Sequence, residues 1–268
     1  MAVLLLLGVL GFGLLGLRWL EDAIFGGERA STPPPPTPVA TVKLVVPEGF
    51  AIRDIARRAP AIGVSPKTYR AAVAAAHPPA GYNATGKERL GMEGFLFPAT
   101  YELVKPASAK VLVREQLQAF GRRTSGVDFR YAKQHGLTRY DVLIIASMIE
   151  REAAAPVDRR KIAAVIYNRL KNNDPLGIDA TSQYAAGSWA PITKRDLASS
   201  SPYNTRRFKG LPPTPICNPG LASIQAAANP AKVPYLYYVA IPGDPQRRHF
   251  FTASFAAFNA YVTKHGIR

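Results

Sequence analysis

Between Leu143 and Ala154 the chain reads Leu-Ile-Ile-Ala-Ser-Met-Ile-Glu-Arg-Glu-Ala-Ala, a long apolar helical run that carries a carboxylate, Glu150, into what should be dry surroundings. Taking a carboxylate out of water raises its pKa, and a Glu held protonated near neutral pH is equipped to act as a general acid. On a helical wheel Glu150 shares its face with Leu143, Ala146, Ser147, Ala153 and Ala154, small and mostly apolar neighbours that leave room above it for a bulky substrate. Glu152 points about 200° round the helix, beside Ile145, Met148 and Ile149, so the two carboxylates do not serve one bond. A plainer reading stays open: Glu150 is the first polar residue after a core helix, paired with an Arg.

The chain has 268 residues, 47% hydrophobic and 19% charged, which suffices for one or two packed domains. Residues 2–17 carry no charge, and the run extends to Leu20 if Arg18 snorkels beside Trp19. Residues 1–20 are therefore expected to be an uncleaved single-pass transmembrane anchor. The competing cleaved signal lacks a basic leading region and an obvious small-x-small cleavage site. No Lys or Arg precedes the run, so charge does not set its orientation. Residues 21–40 follow as a linker whose Ser31-Thr-Pro-Pro-Pro-Pro-Thr-Pro38 tract reads as a polyproline stalk, or alternatively as a ligand for a proline-binding module.

A net charge of +16 biases the chain toward anionic partners: nucleic acid, anionic lipid, or a carboxylate-rich and phosphate-rich cell wall. Its basic pairs, such as Arg57-Arg58 and Arg206-Arg207, are spread along the sequence without a nucleic-acid signature, so no nucleic-acid partner is expected. Cys217 stands alone and the four His (77, 135, 249, 265) lack ligand spacing, which argues against a disulfide and against a metal site.

Alternation predicts a strand over Thr41 to Val46, then short helices over 51–58 and 66–76. An extended run is expected from Gly94 to Val104, interrupted at Pro98. Helices follow over 107–120, 140–154 and 157–170. Residues 177–220, rich in Pro, Gly, Ser and Asn, show no periodicity, and a long irregular segment with this aromatic content reads as functional. A helix over 221–228, strands over 235–241 and 249–252, and a helix over 255–263 complete an α+β chain.

Several spaced motifs then combine. Val42-x-x-Val-Val-Pro-Glu-Gly49, Glu93-Gly-Phe-Leu-Phe-Pro-Ala-Thr-Tyr101, Ala146-Ser-Met-Ile-Glu-Arg-Glu-Ala153 and Val165-Ile-Tyr-Asn-Arg-Leu170 come first. Asp179-Ala-Thr-Ser-Gln-Tyr184, Ser201-Pro-Tyr-Asn-Thr205, Gly210-Leu-Pro-Pro-Thr-Pro-Ile216, Asn218-Pro-Gly220 and His249-Phe250 follow in order. Over roughly residues 41–262 the set resembles the YceG-like family of endolytic murein transglycosylases. The resemblance implies a plasma-membrane protein with an extracytoplasmic body, built of a small LysM-like subdomain (41–92) and a mixed α+β YceG-like catalytic domain (93–268). It further implies endolytic cleavage of nascent peptidoglycan glycan strands, with Glu150 as the acid/base and no metal or cofactor. The muramic acid's own C6 hydroxyl serves as nucleophile, so one carboxylate suffices where a hydrolase needs two. A link to penicillin-binding synthases is implied by family alone.

Gln183, Tyr203, Asn204 and Thr205 are expected to contact substrate or orient Glu150, since they bring hydrogen-bonding groups and an aromatic face to the irregular segment. Asn168 and Arg169 read as structural, the Arg clamping a carboxylate such as Glu152. Glu93 is the second candidate acid, or a turn-fixing residue, and His249 reads as a satisfied structural histidine. Ala180, Thr214, Arg206 and Phe258 depart from the family pattern and bear on how the glycan is gripped. The rival reading is a membrane-tethered, non-catalytic peptidoglycan-binding scaffold.

Overall fold

Alternating side chains build the first sheet of the computed structural model, which describes residues 39–82 and 90–267. Strands β1 (Thr41–Val45) and β2 (Thr100–Val104) pair antiparallel, Leu44 opposite Tyr101. Leu44, Tyr101 and Leu103 are buried while their chain neighbours face outward, as the two-residue period of a half-buried strand requires. Between the strands lie α1 (Ile52–Arg58), a short 3-10 segment (Ala59–Ile62) and α2 (Pro66–Ala74). Helix α2 starts where it does because the Ser65 hydroxyl accepts the Thr68 N–H at 3.1 Å and Pro66 supplies a preset first turn. Tyr69 then reaches from α2 to donate its hydroxyl to Gln116 on α3 (Ala109–Thr124) at 2.9 Å, both side chains being buried.

The unit expected over 41–92 thus borrows its second strand from residues 100–104, so a boundary at 92 falls between two paired strands. The extended run expected from Gly94 is also shorter. Residues 94–99 turn instead, because Gly94 adopts φ +93° and its N–H, with that of Leu96, bonds a side chain elsewhere in the fold.

After α4 (Arg130–Gln134), a helix that sequence periodicity did not reveal, comes the central helix α5 (Arg139–Glu152). A reciprocal cap begins it: Thr138 Oγ1 accepts the Asp141 N–H at 3.1 Å, and Asp141 Oδ2 accepts the Thr138 N–H at 2.8 Å. Tyr140 and every residue from Val142 to Ile149 are buried. Around them pack α6 (Arg159–Lys171), α7 (Asp179–Ala185) and α9 (Leu221–Ala228), with α8 (Lys194–Leu197) set against α7. Ser147 is small enough to let residues 216–217 lie against the helix, its Oγ accepting the Ile216 N–H at 3.0 Å. Cys217 fills the same contact, fully buried, with its thiol pKa pushed up by that burial. The helix ends two residues before the expected Ala154, since Ala153 leaves helical geometry at ψ 91°.

The segment 177–220 contains two helices, α7 and α8, too short to show periodicity. Strands β3 (Tyr237–Ala240) and β4 (His249–Thr252) form a second antiparallel pair, and α10 (Phe255–Lys264) covers them through the Phe250 and Tyr261 rings, stacked at 4.1 Å. All these elements belong to one contact-dense unit, residues 40–268. The expected anchor over 1–20 and the proline-rich tract lie outside the described residues. Among the described residues no helix is long and apolar enough to cross a membrane.

Gly94 tests this packing. A Cβ there would come within 2.8 Å of Pro215 and 3.0 Å of Leu143, at a backbone angle L side chains rarely adopt. Gly94→Ala is therefore expected to cost roughly 2–4 kcal/mol in denaturant titration. Gly63→Ala, at φ +80° with open space around it, should cost only about 1 kcal/mol.

Candidate active site

Glu150 occupies the last turn of α5, half-buried rather than enclosed in the dry groove that the wheel suggested. The difference arises because Ala153 and Ala154 leave the helix and no longer wall in that face. Its Oε2 accepts the Gly220 N–H, 2.9 Å away, at the start of α9. That donor is one of the N–H groups a helix leaves unpaired at its N-terminus, so the carboxylate is held in a defined position. Gly49 closes the approach from the other side, where a Cβ would lie 3.7 Å from Glu150 Cγ and 3.5 Å from the Arg151 guanidinium.

A second carboxylate converges here. Glu48, from the Val-Pro-Glu-Gly turn, sits so close over Gly220 that a Cβ on that glycine would fall on its carboxylate. Partial desolvation, and next the charge of Glu150, raise the Glu48 pKa above its ordinary 4.5, against a lowering from Arg159. Arg159 in turn donates to Ser223 Oγ at 3.2 Å, which fixes it beside α9. Glu48 was not among the expected site residues, although its place in the Val42-x-x-Val-Val-Pro-Glu-Gly49 motif was a usable signal.

A third carboxylate, Glu93, is removed from water, only 5% exposed. Its oxygens accept from the Ile52 N–H (3.0 and 3.2 Å), the Tyr184 hydroxyl (3.1 Å) and Asn218 Nδ2 (3.1 Å). Burial nevertheless dominates and lifts its pKa to about 8; the Asp54 charge adds to the rise, while the Ile52 and Tyr184 hydrogen bonds and Arg53 oppose it. Glu93 therefore joins α1, α7 and the 218 loop, and it lines a cavity of about 530 Å³ with Ile52, Arg53, Arg70, Tyr184, Ser201 and Tyr203. Around this core three cationic and aromatic groups interlock. The Arg53 and Arg151 guanidinium carbons stand 4.6 and 3.9 Å from the Trp189 ring centroid, and the indole N–H donates to Asp54 at 2.9 Å.

The other expected site residues divide clearly. Tyr203 reaches the cavity, its ring 5.2 Å from Tyr184 and its hydroxyl 2.8 Å from Thr214 Oγ1. Asn204 and Thr205 are buried braces: Asn204 Nδ2 donates to the Leu197 and Ser199 carbonyls, and Thr205 Oγ1 accepts the Ile178 N–H. Gln183 stands on α7 and donates to the Ala190 carbonyl at 2.9 Å. None of these four has a hydrogen bond to Glu150. Arg206 forms an ion pair with Asp179 at 2.6 Å, and Phe258 packs its ring 5.5 Å from Tyr237.

Asn168 and Arg169 hold backbone rather than a carboxylate. Asn168 Nδ2 donates to the Val233 and Tyr235 carbonyls, and Arg169 donates to those of Pro175, Leu176 and Leu236. The clamp expected between Arg169 and Glu152 is replaced by Tyr238, whose hydroxyl donates to Glu152 at 3.0 Å. Burial raises the Glu152 pKa, a rise that the Tyr238 hydrogen bond reduces. His249 is satisfied by buried Asp158, which accepts from its backbone N–H at 2.7 Å and lies 3.0 Å from Nδ1. Among the described residues no group of three or more His, Cys, Asp or Glu side chains is placed to hold a metal ion.

The profile of the YceG-like family matches residues 32–264, and the chain belongs to that family. An endolytic murein transglycosylase of Bacillus subtilis is 40% identical over 153 residues, 56% of this chain and 42% of that protein. One from Streptococcus pneumoniae is 31% identical over 244 residues, 82% of this chain and 44% of that one. The chain thus spans less than half the length of these curated relatives. The crystal structure of a yceG-like protein from Listeria monocytogenes superposes with a TM-score of 0.67 at 31% identity, covering 81% of this chain and 75% of that one.

Glu93 carries a pH signature. The folded chain holds its proton up to about pH 8, whereas an unfolded carboxyl releases it near 4.5, so the stabilisation is complete below 4.5 and is lost as the pH rises to 8. Thermal melts should show Tm falling by roughly 5 °C or more across that interval. In Glu93→Gln, which keeps the shape but not the ionisation, the slope should flatten; an unchanged slope would mean that Glu93 is ionised throughout.

Proposed function

We propose that this chain is an endolytic lytic transglycosylase, cutting the β-1,4 bond between MurNAc and GlcNAc in peptidoglycan strands without water and leaving 1,6-anhydro-MurNAc ends. The observation that carries the reading is the placement of Glu150: half-exposed at the end of the core helix, one oxygen held by the Gly220 N–H at 2.9 Å. Membership of the YceG-like family and the names of the relatives support the same chemistry.

In this mechanism protonated Glu150 gives its proton to the glycosidic oxygen as the bond to the muramyl C1 breaks. The C6 hydroxyl oxygen of the same sugar then bonds to C1, and its proton passes to Glu150, which is thereby reset. Atoms balance with no water consumed, so the new end is one water lighter than a hydrolytic end. Glu48 lies beside this group, its own pKa raised by partial desolvation and then by the Glu150 charge. The apolar run over 1–20 would tether the body to the plasma membrane, outside the cytoplasm. The β-α-α-β unit over 41–104 would serve as the LysM-like module. Cleavage of nascent strands there, beside penicillin-binding synthases, would terminate glycan elongation.

The proximity of Glu48 favours one second reading, a hydrolase in which that carboxylate activates water. Digestion of uncrosslinked strands, with product ends read by mass spectrometry, separates the two. Anhydro ends are expected, falling at least ~100-fold in rate for Glu150→Gln. Hydrated reducing ends would make it a hydrolase, and strand binding without cleavage would favour the scaffold. Glu48→Gln separates the readings further: loss of hydrated ends in this variant would give Glu48 the water-activating role, whereas anhydro ends formed at the wild-type rate would remove it from the mechanism.

A further inference from the structure

The stretch from Lys194 to Lys209 carries a surface that strand cleavage does not use. Two of its side chains, Leu197 at the end of α8 and Phe208, are large, apolar and exposed, at 42% and 40%. Lys194, Arg195, Arg207 and Lys209 are exposed with them. Single exposed apolar side chains are ordinary, so the weight falls on how these two are joined. Buried Asn204 donates to the Leu197 and Ser199 carbonyls, both at 2.9 Å, and its own carbonyl accepts the Arg207 and Phe208 N–H groups at 3.0 and 2.9 Å. Arg207 then reaches back to the Ala198 carbonyl at 3.4 Å and holds its guanidinium carbon 5.6 Å from the centroid of the Phe208 ring. Leu197 and Phe208 thus belong to one braced surface and not to two independent loops.

The charge of that surface is one-sided. Asp196 is the one acid in residues 194–209, and its carboxylate is taken up by the Thr193 N–H and hydroxyl at 2.8 and 2.7 Å. Arg206 is matched by Asp179 at 2.6 Å. Lys194, Arg195, Arg207 and Lys209 make no ion pair among the described residues, and so remain available to an anionic partner. A soluble polyanion would engage these cations and leave Leu197 and Phe208 in water. An anionic bilayer engages both kinds of group, because headgroup phosphates meet the cations while the acyl boundary takes the apolar side chains. The long Lys and Arg stems let the charges stay among the phosphates as the apolar groups go deeper.

We propose that residues 194–209 form a docking face for an anionic lipid surface, in which Leu197 and Phe208 enter the headgroup boundary and Lys194, Arg195, Arg207 and Lys209 bind lipid phosphates. The contact is distinct from the anchor proposed over 1–20: an anchor tethers the chain, whereas this face decides which side of the body lies on the bilayer.

Depth-dependent fluorescence quenching on the full chain tests it. Cys217 is fully buried with its thiol pKa raised, so a bimane label is directed to an added cysteine at Phe208→Cys, or at Ser125→Cys on the exposed end of α3 as the reference. Each labelled chain is reconstituted in vesicles carrying a nitroxide on the lipid chain, made of phosphatidylcholine alone or with roughly 30% phosphatidylglycerol. In the phosphatidylglycerol vesicles the label at 208 should be quenched at least about twofold more than the label at 125, and the excess should shrink in about 0.5 M salt. Combined Lys194→Gln, Arg195→Gln and Lys209→Gln should abolish the excess; these side chains are exposed, so the fold is retained. Removing the same charge from α3, by Lys110→Gln, Arg122→Gln and Arg123→Gln, should leave it intact and thereby exclude general attraction to a basic chain. Equal quenching at 208 and 125, or an excess that survives the first triple variant, would overturn the proposal. Binding of soluble poly(glycerol phosphate) that needs Lys194, Arg195 and Lys209, with no lipid quenching at 208, would also overturn it and make the face a site for an anionic polymer.

Discussion

Everything near Glu150 hangs on one buried amide, Asn218, which has no exposed surface. Its Oδ1 accepts the N–H groups of Gly94 and Leu96, and its Nδ2 donates to the Phe50 carbonyl and to Glu93. All four hydrogen-bonding capacities of the side chain are therefore filled. Its backbone adds a reciprocal pair, with the Asn218 N–H to the Phe50 carbonyl and the Gly49 N–H to the Asn218 carbonyl. Three loops far apart in sequence, at 47–50, 93–96 and 216–220, are thus locked at one point. The arrangement brings Glu48 from the first loop, Glu93 from the second and the Gly220 N–H from the third into one neighbourhood of Glu150. Buried polar networks of this kind stabilise only when complete, so the loops are defined jointly or not at all.

The same junction divides labour among carboxylates. Glu93 lies inside it, encircled by donors, and so acts as a keystone between α1, α7 and the 218 loop. Glu150 lies at its rim, held by the Gly220 N–H, with no other hydrogen bond to it among the described residues. Glu152, on the same helix, is turned to Tyr238 beneath the second sheet. A rim position suits proton exchange with a substrate, whereas a fully satisfied interior position suits holding loops together. Burial depth alone points to Glu93 as an acid; the proposed mechanism takes Glu150 instead, for its accessibility and its fixed position.

Legibility followed range. Helix α5 was readable because its apolar period and the Thr138–Asp141 cap are local signals, and β1, α9 and α10 emerged close to their expected bounds for the same reason. The environment of Glu150 was not readable, since its exposure depends on where Ala153 leaves the helix and on loops more than fifty residues away. Asn204 and Thr205 show a related limit. Polar side chains in an irregular stretch suggest substrate contacts, but such a stretch must also satisfy its own carbonyls and N–H groups, and these two are used for that. Arg169 bonds carbonyls and not the expected Glu152, because five donors on a planar fork bind carbonyls as readily as a carboxylate. Arg53, Arg151 and Trp189 carry no sequence spacing that would unite them; only the folded loops do.

The central claim is that Glu150, and not Glu93, delivers the proton. A crystal structure of the Glu150→Gln chain with a bound GlcNAc-MurNAc tetrasaccharide tests it most directly. The account predicts an interior glycosidic oxygen about 2.6–3.2 Å from the side chain of residue 150, with the muramyl C6 hydroxyl directed to the same group. A glycosidic bond seated against Glu93 in the cavity, with residue 150 out of reach, would contradict it.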